Sequence, residues 1–94
     1  MSNMFQNNQV FDQDIGNWDT SNVINMSRMF YQSTAFNQDI GNWVTSSVTD
    51  MSWMFYRAYT FNQDLSSWNV TNATENYCFS CQADSWSLPK PNFN

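Results

Sequence analysis

A carboxylate recurs at Asp14, Asp39 and Asp64, each preceded by a glutamine (Gln13, Gln38, Gln63), at a fixed spacing of 25 residues. Like charges stacked at that interval need compensation, which could come from calcium bridging one segment to the next or from each carboxylate accepting the backbone amides of its own turn. The Gly-rich calcium-binding pattern is absent and only one carboxylate recurs per period, so turn capping is favoured, with Asp14, Asp39 and Asp64 kept as a weak metal candidate. Cys78 and Cys81 form a C-x-x-C pair. With no His and no other Cys they are half a zinc site at most, and they lack the strand-to-helix setting that lowers a thiol pKa. A short-range disulfide or two ordinary thiols are favoured over a redox or metal role, and an exported protein would favour the bridge. Without His, acid–base chemistry would fall to carboxylates, Tyr or Lys90, and the Asp residues form a row rather than a paired constellation. No catalytic residue, enzymatic activity or cofactor is expected.

Binding residues are a better prospect. The positions that vary between periods carry Asn3, Gln6, Asn7 and Gln9, then Arg28, Tyr31, Gln32 and Thr34, then Trp53, Tyr56, Arg57 and Tyr59. The third set, with Tyr31 from the second, concentrates the Trp, Tyr and Arg that dominate binding hot spots. These rings could equally form a satellite packing cluster with Arg57 stacked on an aromatic, and the sequence leaves both readings open.

The elements that must position these residues follow from the repeat. Segments 1–25, 26–50 and 51–75 share Met1/Met26/Met51, Met4/Met29/Met54, Phe5/Phe30/Phe55, Phe11/Phe36/Phe61 and Trp18/Trp43/Trp68 without insertion or deletion. Residues 76–94 keep the phase with changed letters (Phe79, Trp86, Phe93) and read as a degenerate capping coil, in which Pro89 and Pro91 withhold donors from further pairing. Asn, Ser, Thr and Gln make up 40 of the 94 residues, a balance that alone suggests disorder, but eight Phe, five Trp and four Tyr can supply an aromatic core. Met26, Met29 and Phe30 at i, i+3 and i+4 predict a short helical turn, and the spacing of Ile40, Trp43, Thr45 and Val48 predicts a short parallel strand near Trp43 to Thr45. The three indoles are expected to stack in one column. A net charge of −5 repels phosphate backbones and anionic lipid, so nucleic-acid binding is not expected, and nothing apolar is long enough for membrane insertion or a signal peptide.

Phe-Asn-Gln-Asp-Ile at 36–40, Gly-Asn-Trp at 41–43, Thr-Ser-Asn-Val at 20–23 and Met-Ser-x-Met-Phe at 26–30 and 51–55 resemble the 25-residue (PARCEL) repeat of BspA-like bacterial surface proteins. That resemblance implies a repeat solenoid, leucine-rich-repeat-like and right-handed, of about three and a half coils. It further implies a non-catalytic adhesion or protein-interaction module at the cell surface or secreted. The expected partner is a protein or a surface glycan; the alternative is a structural solenoid recognising glycan or another ordered surface. The array starts directly on a core position, without the family's leader or an N-terminal cap. A homodimer through the uncapped N-terminal coil is therefore expected, with head-to-tail stacking blocked by the proline-bearing end.

Overall fold

The backbone of each Met-Ser-x-Met-Phe segment is set by consecutive turns rather than by a helix. In the computed structural model, which describes residues 1–93, the amide of Met29 donates to the Met26 carbonyl at 3.3 Å, Tyr31 to Arg28 at 3.2 Å and Ser33 to Phe30 at 3.0 Å. Arg28 and Gln32, the third residues of the first and last of these turns, both sit at φ 55°. A positive φ there defines a type II turn and is incompatible with a right-handed helix. The pattern recurs at Asn3 and Asn7, at Trp53 and Arg57, and at Cys78 and Gln82. The helical turn expected over Met26–Phe30 is thus corrected to a run of turns, which brings residues 1, 4 and 5 of the segment to one side just as a helix would.

Among the described residues there is no helix and no strand, only isolated parallel bridges joining Asn25 to Asp50 and Asp50 to Glu75. The strand expected at Trp43 to Thr45 is likewise corrected. Trp43 N–H turns back to the Ile40 carbonyl at 3.1 Å and Val48 N–H to Thr45 at 3.0 Å. Side chains supply the cross-connections at this level. The Thr20 hydroxyl donates to the Val44 carbonyl at 2.9 Å and Thr45 to Asn69 at 3.0 Å. The indole of Trp43 donates to the Ile15 carbonyl and that of Trp68 to Ile40, both at 3.0 Å.

Every second amide of the turn runs points away from its own segment. Arg28, Phe30 and Gln32 donate to the carbonyls of Ser52, Met54 and Tyr56 at 3.0, 2.9 and 2.7 Å, and Asn3, Phe5 and Asn7 donate in the same way to Ser27, Met29 and Tyr31. These rungs satisfy part of a backbone that has no regular secondary structure.

The result is a compact globule with a large buried aromatic cluster. Phe30, Phe36, Phe55 and Phe61 are fully buried together with Met26, Met29, Met51 and Met54. Phe30 stacks between Phe5 and Phe55, at 5.6 and 5.3 Å between centroids, and Phe36 between Phe11 and Phe61, at 5.8 Å on either side. Such ring pairs add about 0.5–1.5 kcal/mol each beyond the area they bury. Toward the C-terminus the stacking ends, because Phe79 and Trp86 meet Phe55 edge-on at 71° and 76°, and Phe93 lies across Phe79. The half-exposed Trp18 rests its ring on Phe5, 6.0 Å away, while Trp43 and Trp68 are buried and stacked.

The glycines of the 41–42 type of turn are needed for space rather than for positive φ, which neither adopts. A Cβ on Gly16 would stand 2.7 Å from the Asp39 carbonyl oxygen, and one on Gly41 would stand 3.0 Å from that of Asp64.

Candidate functional site

Each of the recurring aspartates caps its own turn. The Asp14 carboxylate accepts the Gly16 amide at 3.0 Å, Asp39 accepts Gly41 at 2.9 Å, and Asp64 accepts both the amide and the hydroxyl of Ser66, at 2.9 and 2.6 Å. The Ser66 hydroxyl, followed by its amide, holds the Asp64 carboxyl below its ordinary value, and Ser21 does the same for Asp19. Among the described residues no group of three or more His, Cys, Asp or Glu is placed to hold a metal ion.

A second polar column went unnoticed in the sequence. Asp12 accepts the Asn37 amide at 2.8 Å, Asn37 accepts the Asn62 amide at 2.8 Å, and Asn62 accepts the amides of Ser87 and Leu88 at 2.9 Å. Gln38 and Gln63 reinforce it, each donating to the backbone and side-chain oxygens of the residue one segment back, Asp12 and Asn37. Gln38 and Gln63 therefore serve this ladder rather than the aspartates beside them. The available signal was the short carbonyl-bearing residue that follows each invariant Phe.

The candidate binding residues come together in part. Tyr31 packs on Tyr56 at 4.9 Å and reaches Trp53 at 6.3 Å, and Trp53 meets Tyr56 edge-on at 5.0 Å. The Arg57 guanidinium lies over the Tyr56 ring at 5.1 Å, and its Nε donates to Gln82 at 2.8 Å. Tyr59 is exposed and stands outside these ring contacts. Tyr77, outside the varying positions named above, joins instead through an edge contact with Trp53 at 5.3 Å and is 69% exposed. Its signal was an aromatic in a column otherwise filled by Ser2, Ser27 and Ser52. None of these four rings contacts a ring of the buried cluster; Tyr77 is exposed, while Tyr31, Trp53 and Tyr56 are half-buried. Trp53 holds φ 60°, an outlying conformation for so bulky a residue.

Cys78 and Cys81 are joined as a disulfide across a single turn. No helix among the described residues is long and apolar enough to cross a membrane.

A turn-built globule with one aromatic cluster buried and a second, smaller one displayed is the class these features define. The chain belongs to the family described as Mycoplasma protein of unknown function, DUF285, whose profile matches residues 1–88. That description names neither BspA nor its repeat. No curated protein and no solved structure matches the chain.

Proposed function

We propose that the protein is a non-catalytic interaction or adhesion module, and that Trp53, Tyr56, Arg57, Tyr31 and Tyr77 form its contact surface. The observation that carries this reading is the displayed aromatic cluster itself. These rings contact one another outside the buried core, half-buried at Tyr31, Trp53 and Tyr56 and exposed at Tyr77, around a guanidinium, the mixture that makes hot spots at protein interfaces. Three coils, 1–25, 26–50 and 51–75, closed by 76–94, make a leucine-rich-repeat-like solenoid that sets this cluster on one face. The amide rungs linking residues 24 apart support that architecture. The resemblance to BspA-like surface repeats favours a setting at the cell surface or outside it. Glycan recognition is the second reading, favoured by the Tyr31 and Tyr56 rings, 30° from coplanar, with the Arg57 and Gln82 side chains at hand as polar partners.

The test is binding to panels of purified surface proteins and of polysaccharides, comparing the parent chain with Trp53→Ala and Tyr56→Ala. A ligand lost at least about tenfold in both variants, with unchanged thermal melts, supports the reading. Ligands bound equally well by both variants would move the contact surface elsewhere, and the absence of any ligand from both panels would reject the adhesion reading.

A further inference from the structure

The turn that carries Cys78 and Cys81 is built four times along the chain, and only once with a bridge. Asn3, Arg28, Trp53 and Cys78 stand at φ 61°, 55°, 60° and 50°. The amide three residues on returns to each of their carbonyls, at 3.1 Å from Gln6, 3.2 Å from Tyr31, 3.3 Å from Tyr56 and 3.4 Å from Cys81. The turn also brings the two side chains together whatever they are. Asn3 hydrogen-bonds to Gln6 at 2.5 Å, Trp53 meets Tyr56 edge-on at 5.0 Å, and Cys78 is bonded to Cys81.

The backbone therefore does not need the disulfide. Three earlier copies of the turn stand without one, and the last is held by the neighbouring segment, where the amides of Trp53, Phe55 and Arg57 donate to the carbonyls of Tyr77, Phe79 and Cys81 at 2.9, 2.8 and 3.0 Å. Phe79, buried between the two cysteines, is fixed by the rings of Phe55, Trp86 and Phe93. A bond of this kind opens and closes without refolding.

It is also within reach. Cys78 and Cys81 are half-buried and line a cleft of about 320 Å³, whose walls include the apolar Phe79, Pro91 and Phe93. Lys90 is the charged residue of that lining, and no carboxylate shares it. Its ammonium lies 5.3 Å from the centre of the Trp86 ring. A cation beside a disulfide favours the thiolate, both on an approaching thiol and on the departing sulfur. Lys90 thus supplies by charge what a strand-to-helix setting supplies by its dipole.

We propose that Cys78–Cys81 is a thiol–disulfide exchange site whose substrate is a peptidyl cysteine thiol flanked by an apolar side chain. The substrate thiolate bonds to one Sγ, the Cys78–Cys81 bond breaks, and the other sulfur leaves as a thiolate that takes up a proton. A second substrate thiolate attacks the substrate sulfur of the mixed disulfide, and the remaining cysteine leaves and is protonated in turn. Two substrate thiols are thereby oxidised to one disulfide, while Cys78 and Cys81 are reduced by two electrons and gain two protons. The exchange is stoichiometric, one round per oxidised chain, and does not depend on the adhesion reading.

The probes are acetyl-Phe-Cys-amide and acetyl-Cys-amide, which differ in the flanking ring alone. Each is mixed with the oxidised full chain, and the thiols released are alkylated and counted by mass. Both are expected to open the bridge, the Phe-flanked probe at least about tenfold faster because the cleft positions it. Lys90→Gln should slow both by roughly threefold. The reduced chain should keep the near-ultraviolet circular dichroism of the oxidised one. A bridge that both probes leave intact, equal rates for the two probes, rates unmoved by Lys90→Gln, or a reduced chain that loses its near-ultraviolet signal would overturn the proposal.

Discussion

Trp43 and Trp68 stand 25 positions apart in the chain and lie ring on ring, 6.3 Å between centroids and 7° between planes, each indole donating to a carbonyl 28 residues upstream. The side chain thus fills the core and replaces a backbone rung at once, which is why a large residue with one polar handle is needed at this level. Trp18, with the same spacing, is half exposed. Trp43→Ala should destabilise by about 3–5 kcal/mol, leaving a cavity and an orphaned carbonyl, and Trp18→Ala by about 1–2 kcal/mol, as befits a half-buried ring. Denaturant melts of the two variants will show the difference, and equal losses would contradict the burial.

The two glycines make a graded prediction. Gly16→Ala drives a methyl group to 2.7 Å from a backbone oxygen that a neighbouring segment holds in place, while Gly41→Ala meets one at 3.0 Å. Overpacking of this kind costs about 1–3 kcal/mol. Gly16→Ala is expected near the upper figure and Gly41→Ala near the lower, measured as shifts of the denaturation midpoint at unchanged slope.

Arg28 occupies left-handed backbone at φ 55° with its side chain exposed. Asn3 adopts the same conformation one segment earlier, and Asn is among the residue types that tolerate it. Arg28→Asn should therefore stabilise the fold by about 0.5–1 kcal/mol, part of the roughly 1–2 kcal/mol that left-handed backbone imposes on other residues. A rise in the melting temperature checks this, with Arg28→Ala as the control that should gain nothing.

The Asp64 and Asp19 carboxyls are held below the ordinary value by the hydroxyls and amides of Ser66 and Ser21. In the window between that lowered pKa and the ordinary value, about 3.9, the unfolded chain binds more protons than the folded one. Their stabilising contribution is thus complete above the ordinary value and is lost as pH falls through the folded one. Ser66→Ala should raise the Asp64 titration midpoint and flatten the acid limb of the stability curve. Carboxyl chemical shifts followed by NMR will show whether Asp64 responds while Asp19 does not.

The Cys78–Cys81 bridge closes a loop too short to constrain the unfolded chain strongly. A Cys78→Ser, Cys81→Ser double variant is expected to fold with a loss of about 2 kcal/mol or less. Calorimetry of the two forms decides it, since failure to fold would assign the bridge a larger part in the terminal turns.

Much of this protein could be read from spacing. Residues 25 apart with the same letter do meet: Phe30 with Phe55, Phe36 with Phe61, Trp43 with Trp68. An aromatic column satisfies itself by stacking like on like, and the recurring Phe foretold it; the expected column of three indoles is corrected to the pair Trp43 and Trp68, with Trp18 resting on Phe5 instead. The capping role of Asp14, Asp39 and Asp64 was legible for a similar reason, because an Asx turn is a local bond between residues two apart. The backbone between those contacts was not legible. Apolar residues at positions 1, 4 and 5 of a segment face one side whether the chain forms a helix or a run of type II turns. The difference rests on left-handed φ values at Arg28, Gln32, Trp53 and Arg57, residue types with no preference for that region, so only hydrogen bonds to the neighbouring segment hold them there. The same holds for the surface cluster. Tyr31, Trp53 and Tyr56 announced themselves by type, but Tyr77 joins them because the ladder places its segment beside Trp53. Tyr59, equally aromatic, is exposed and makes no ring contact with them. Local chemistry and identical spacing determined the core and the caps; tertiary hydrogen bonding decided the backbone conformation and the company each exposed ring keeps.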